Sequence, residues 1–193
     1  MKPFALNPDL GCYVVEDCPL NCDGDGANGQ TGGIACYVPE GSGLPHLDAL
    51  ENAGHPGDWW GIATCDGQPC LQGPNDPAPG AYISTTSYEN RALAPNDPNR
   101  YLDAASVPFI VVPEHFRVLV PGVVMGCRCE VEYNGRVVPA MVGDVGPDFG
   151  EFSLAVCLQF DPSANCHATS IESGVTIRIW PGQAFPGYEL RPA

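Results

Sequence analysis

Two acids set seven residues apart, Asp144 and Glu151, carry the clearest chemistry in this chain. They bracket Val145-Gly146-Pro147-Asp148-Phe149-Gly150, with one apolar run ending at Asp144 and the next beginning at Glu151. Fully extended, seven residues reach ~23–25 Å. Gly146, Pro147 and Gly150 instead favour turns, which fold the segment and let the two carboxyls face each other across a strand-end cleft. A pair of this kind can hydrolyse a glycosidic bond. One carboxyl protonates the leaving oxygen, and the other activates water or attacks carbon. Unequal surroundings at two strand ends can split their pKa values into acid and base roles. The same residues also read as an ordinary Gly-Asp-x-Gly-Pro turn, with Asp144 bonded to its own backbone and Glu151 facing solvent. Asp148, in the same loop, could bind a substrate ammonium or cap the turn.

Other groups offer less. Asp23-Gly24-Asp25-Gly26 invites a calcium reading, but an EF-hand loop counted from Asp23 would need a ligand at Ala27, glycine at Asn28 and glutamate at Ile34. That motif fails; a different calcium site, a substrate cleft and a plain turn stay open. Trp59 and Trp60 could stack on sugar rings or form a small core cluster, and Tyr82 and Tyr88 are similarly ambiguous. Gly-x-Ser-x-Gly elbows, P-loops, His-Glu-x-x-His and dinucleotide fingerprints are absent from the sequence. Neither a metal nor a cofactor is therefore expected.

The elements that must hold the acids read as short strands. Gly (23) and Pro (21) recur too often for long helices. Val107–Val112 ends at Pro113 and suits a buried strand. Val118–Val124 is another apolar run, broken by Pro121-Gly122. In Cys127–Tyr133, Cys127, Cys129 and Val131 face one way while Arg128, Glu130 and Glu132 face the other. Asn134-Gly135 is a two-residue hairpin signal, with Arg136–Val142 as the returning strand. Cys12–Val15, Phe152–Leu158 and Val175–Trp180 complete the set. The pattern predicts an all-β, mainly antiparallel fold, a closed or partly open β-barrel with the double-psi type among the candidates. One catalytic domain is expected over 1–193, with a Cys/Gly-rich, loop-heavy subregion at 1–79 and the barrel core at 80–193. The Gly- and Pro-rich run 73–80 marks the division.

Ten cysteines in a loop-rich chain suggest disulfides made in an oxidising compartment. A mixture of disulfides and free thiols, or a zinc site, are the alternatives. Cys18-x3-Cys22 and Cys65-x4-Cys70 are loosely spaced for zinc, but the four histidines do not pair with them. Residues 1–8 lack the apolar core of a signal peptide, and no run reaches the ~18 apolar residues of a membrane helix. A secreted protein is expected, either with its leader removed or exported by another route. With 23 acidic and 8 basic residues the net charge is −15, which argues against nucleic acid. It favours a cationic partner such as a glucosamine polymer, although acidity also serves solubility. A monomer is expected.

The second half of the chain resembles the chitosanases of glycoside hydrolase family 75. The likeness rests on Tyr101–Pro113, on Val137–Val142 followed by Gly143-Asp144-Val145-Gly146-Pro147, and on Gly150-Glu151-Phe152-Ser153-Leu154-Ala155. Upstream, Asn21–Gly26 is similar to that family's Asp-Cys-Asp-Gly segment, and Tyr82–Tyr88 falls where it has a Thr/Ser-rich strand. The resemblance covers roughly 12–29 and 80–160. It implies inverting, endo-acting hydrolysis of β-1,4 linkages in chitosan, with Asp144 and Glu151 as the catalytic pair. Glu151 would be the acid and Asp144 the base. Asp23, Asp25, Asp148 and Tyr88 would be substrate-binding. A peptidoglycan- or chitin-cleaving enzyme on a related barrel, and a non-catalytic carbohydrate-binding module, are the competing expectations.

Overall fold

The structure is a computed structural model, and it describes residues 2–28, 54–55, 57–166 and 169–192. Its strands in chain order are β1 (Phe4–Asn7), β2 (Cys12–Asp23), β3 (Gly54–His55), β4 (Asp58–Trp59), β5 (Thr64–Cys65), β6 (Gln68–Pro69), β7 (Phe109–Pro113), β8 (Cys127–Tyr133), β9 (Arg136–Gly146), β10 (Glu151–Ser153) and β11 (Thr169–Ala184). Two short helices interrupt them, α1 (Glu114–Leu119) and α2 (Leu154–Phe160).

Six strands close into a barrel in the order β2-β10-β7-β9-β8-β11, with β11 pairing back onto β2. Pairs β2–β10 and β7–β9 are parallel; the others are antiparallel. β1 is appended to β2 along Cys12–Val15, on the edge that β10 takes up again at Asn21–Asp23. Closure leaves few strand edges open to pairing with other chains. The barrel is not confined to 80–193, because β2 supplies one stave from the amino-terminal region.

The core follows from strand alternation. Cys129 and Val131 of β8 lie opposite Ala140 and Val138 of β9, and all four are buried. At the hairpin, Tyr133 pairs with Arg136 while Asn134 and Gly135 both take positive φ, as a two-residue primed turn requires. Phe109, Phe152, Ile110, Ile177 and Ile179 are fully buried in the same cluster. Phe116 of α1 packs edge-on against Phe4, Phe149 and Tyr13 at centroid distances of 4.8, 5.0 and 6.0 Å.

Two apolar runs differ from the strands expected of them. Of the Phe152–Leu158 run only Phe152 and Ser153 are strand, the end of β10, and the remainder turns into α2, burying Val156 and Cys157 on adjacent positions. An unbroken apolar run suits a strand or a buried helix, and tertiary packing chooses between them. Val118–Val124 forms no strand: Val118 and Leu119 end α1 with their side chains exposed, and Pro121-Gly122 lie in a turn. Cys12–Val15, by contrast, continues into the twelve-residue β2.

The cysteines split between two fates. Cys65 and Cys70 form a disulfide across the β5–β6 ribbon, and Cys166 is also disulfide-bonded. Cys12, Cys18, Cys22, Cys127, Cys129 and Cys157 are buried free thiols. The fully oxidised framework is thus replaced by a mixture, because cysteine also packs well as a small apolar side chain. No helix among the described residues is long and apolar enough to cross a membrane.

Candidate active site

Strand register brings the two acids onto one row. Phe152 of β10 lies opposite Ile110 of β7, so Glu151 falls beside Val111. Val111 in turn lies opposite Asp144 of β9. Glu151, Val111 and Asp144 therefore run across three adjacent strands, with the acids separated by two strand spacings, about 9.5 Å between the strand axes. The row sits on the face opposite Phe152, Ile110 and Val142, which point into the core.

Asp144 reaches that face only because of a bulge. Simple alternation would put Asp144 on the same side as Val142, two residues earlier. The β7–β9 register shifts by one between Ile110 and Val111, leaving Gly143 as the extra residue. A Cβ on Gly143 would lie 2.6 Å from Phe109 Cβ, so only glycine fits. The Gly-Asp dipeptide is thereby accounted for: glycine absorbs the bulge, and the bulge turns the acid outward from the core.

The segment 81–107 packs over this face. The Tyr88 amide donates to the Gly143 carbonyl at 2.9 Å, and the Leu102 amide to Thr86 Oγ1 at 3.0 Å. Ser87 is the anchor of the acid, its amide and hydroxyl donating to Asp144 Oδ1 at 2.9 and 2.5 Å. The Val145 amide adds a third donor at 2.7 Å. Asp144 is only 6% exposed. Burial pushes its carboxyl above the ordinary aspartate value, and the hydrogen bonds from Ser87, Val145 and Asp25 work against that rise.

Asp25 and Asp23 complete an acid cluster around Asp144, each offering a carboxylate oxygen within 4.8 Å of the others. Asp23 ends β2 opposite Ser153, and its Oδ1 accepts from the Asp25 amide at 2.7 Å. Gly26 then packs so closely that a Cβ would meet the Leu102 carbonyl, while its amide donates to Ser84 Oγ at 2.8 Å. The Asp-Gly-Asp-Gly turn is thus locked onto segment 81–107, with Asp25 hydrogen-bonded to Asp144. Three carboxyls this close can share protons or hold a hard divalent cation through their oxygens.

Glu151 differs from Asp144 in its surroundings. Burial, then the charges of Asp144 and Asp148, all push its carboxyl up. Its Oε2 rests over the backbone of Gly146, 2.8 Å from where a Cβ would stand. The preceding loop is held at both ends. Phe149 packs on Phe116, and the Gly150 carbonyl accepts from the Asn21 amide at 2.8 Å. Asp148 accepts from its neighbours Phe149 and Lys2 at 2.9 and 3.4 Å. Burial raises its carboxyl, but those hydrogen bonds outweigh it and leave the group below the usual aspartate range.

Of the residues singled out in the sequence, Asp144, Asp23 and Asp25 meet directly, and Glu151 shares their face. Tyr88 is in the core instead of on an open wall: it is 7% exposed, stacked edge-on against Tyr188 and covered by the Arg191 guanidinium. The Tyr82–Tyr88 segment pairs only through isolated bridges at Tyr82 and Ser84 and is not a continuous strand. Trp59 is half-buried, with its indole N–H donating to the Gly67 carbonyl at 3.2 Å, whereas Trp60 is exposed. Ser87 lies in the Thr/Ser-rich Tyr82–Tyr88 segment that the resemblance marks, but only the fold shows it gripping the acid. Compared with known protein families, the chain matches none, and a search of curated proteins finds no match either.

Proposed function

We propose that this protein is an endo-acting glycoside hydrolase that cleaves the β-1,4 linkages of chitosan by an inverting mechanism. The observation that carries this reading is the Glu151–Val111–Asp144 row, which sets two carboxyls on one face across an intervening strand. An inverting enzyme needs its acid and base ~6.5–9.5 Å apart to admit a water, and a two-strand offset suits that range better than adjacent strands would. The resemblance to family 75 chitosanases points to the same two residues.

The environments support a division of labour. Glu151 meets only influences that favour its protonated form, which suits the proton donor to the leaving oxygen. Burial raises Asp144 as well, but unlike Glu151 it accepts three hydrogen bonds from Ser87 and Val145, which oppose that rise and favour the ionised form that a water-activating base requires. The net charge of −15 would draw a polymer of ammonium-bearing sugars toward the molecule.

A reducing-end assay on highly deacetylated chitosan tests this. Asp144→Asn and Glu151→Gln are each expected to lower turnover by about 10²–10⁴-fold, with the circular dichroism spectrum unchanged. Wild-type activity in either variant overturns the assignment.

A further inference from the structure

Beside the acid cluster lies a pocket of opposite character. Ser87 and Val145 form the wall it shares with Asp144, and the cavity, about 350 Å³, is otherwise ringed by Arg91, Arg117, Arg191 and Glu89. Three of the eight basic residues of a chain with net charge −15 thus converge on one cavity.

Local acids do not neutralise these cations. Glu89, the carboxylate in the lining, is already engaged by Arg91 Nε at 3.1 Å and by Arg100 Nε at 2.6 Å. Arg117 pairs with Glu114 through Nη1 at 2.8 Å, yet its Nε is buried and has no hydrogen-bond acceptor. Arg191 donates to the Glu89 carbonyl and lies over the Tyr88 ring at 4.2 Å, and it forms no ion pair among the described residues. Three guanidiniums therefore line the pocket against one lining carboxylate, Glu89, which Arg100 also engages, and a buried N–H is left over. Guanidinium donors in fixed positions match the paired oxygens of a carboxylate or phosphate. A concave site walled in low-dielectric protein also focuses the field of those charges.

We propose that this pocket binds a compact oxyanion, the carboxylate or phosphate group of a sugar derivative. Arg117 and Arg191 supply the donors, Arg91 stands at the mouth, and Met125 and Val145 offer apolar surface to the sugar ring. The pocket shares the Ser87–Val145 wall with Asp144, but its donors, Arg117 and Arg191, take no part in the proposed hydrolysis, so its occupancy does not depend on that reading. A consequence for substrate choice does rest on it: a polymer with carboxylate-bearing sugars would engage both sites, whereas a glucosamine polymer would engage only the acids.

The test is a binding titration of the full chain, by calorimetry or amide chemical shift, with sodium glucuronate, glucose 6-phosphate and inorganic phosphate. Saturable binding by wild type is expected, with Kd raised at least tenfold in Arg117→Gln and Arg191→Gln and unchanged in Arg136→Gln. Arg136 is exposed and bonds Gln159 elsewhere on the surface. Arg91→Gln, altered at a side chain 72% exposed, leaves the fold untouched and is expected to weaken binding several-fold. Preference for glucuronate assigns a carboxylate ligand, and preference for either phosphate probe assigns a phosphoryl one. Glu151→Gln should bind the probes as wild type does, so an inactive enzyme with an intact pocket separates failure of the hydrolytic reading from failure of this one. Absence of saturable binding, or equal binding by wild type and all three pocket variants, overturns the proposal.

Discussion

At the scale of single residues, the site is a set of acids whose protonation each neighbour biases. Glu151 is raised by burial and by the negative charges of Asp144 and Asp148. Asp148 itself is held below the usual range, so it stays ionised wherever Glu151 titrates. A proton donor raised in this way remains protonated to higher pH, and the alkaline limb of activity should lie above an ordinary glutamate value. Asp148→Asn removes one of the raising charges. Its expected effect is an alkaline limb of kcat/KM displaced to lower pH, read from a pH–rate profile; a displacement to higher pH would contradict the geometry. The linkage to stability has the same sign. Raised carboxyls such as Glu151 and Asp144 favour the fold at low pH, and that contribution is lost as pH rises through their folded values. Asp148, depressed, contributes above its unfolded value and loses that contribution as pH falls through its folded one.

At the scale of elements, two glycines decide where the acids point. Gly143 permits the bulge that turns Asp144 away from the core, and Gly146 provides the flat seat for the Glu151 carboxyl. Gly146→Ala would bring its new methyl to 2.7 Å from Val111 Cγ1 and 2.8 Å from Glu151 Oε2. A displacement of about 1 Å at a reacting group costs about 10² in rate, so kcat should fall by that factor with little change in KM. Steady-state kinetics on chitosan oligomers would show it. Much of this region was legible beforehand. The Asn134-Gly135 hairpin and the alternation of Cys127–Tyr133 required only period and turn chemistry, both local properties. The bulge was not legible, because it exists only in the register between β7 and β9. Helix α2 escaped for a related reason: Leu154–Phe160 is apolar enough for either period, and burial of Val156 and Cys157 decides it. Ser87 and the Asp25–Asp144 contact come from segments far apart in the chain, where spacing carries no information.

At the scale of the whole molecule, the barrel interior explains the cysteines. The six free thiols among the described residues are buried, and burial pushes Cys18 up to about 11. At Cys18 thiolate, the reactive form, is therefore scarce, and at all six burial keeps reagents away from the sulfur. These six should therefore resist a thiol-specific reagent in the native protein and react promptly in guanidinium, as measured by chromogenic titration; rapid native labelling of Cys18 would contradict the packing. The closure of the barrel has a further consequence, in time. β2 is sealed on one edge by β11, which follows it by about 150 residues, and on the other, beyond the Cys12–Val15 stretch that β1 covers, by β10. During synthesis it must wait for both, and at ~5–20 residues per second that wait lasts many seconds. The acids obey the same schedule, since Asp23 and Asp25 cannot meet Asp144 until β7 and β9 are in place. Such non-local pairing folds in about milliseconds to seconds even when the chain is complete. The nascent protein thus spends its early life with an open β2 edge, and this strand is where aggregation or chaperone capture would begin.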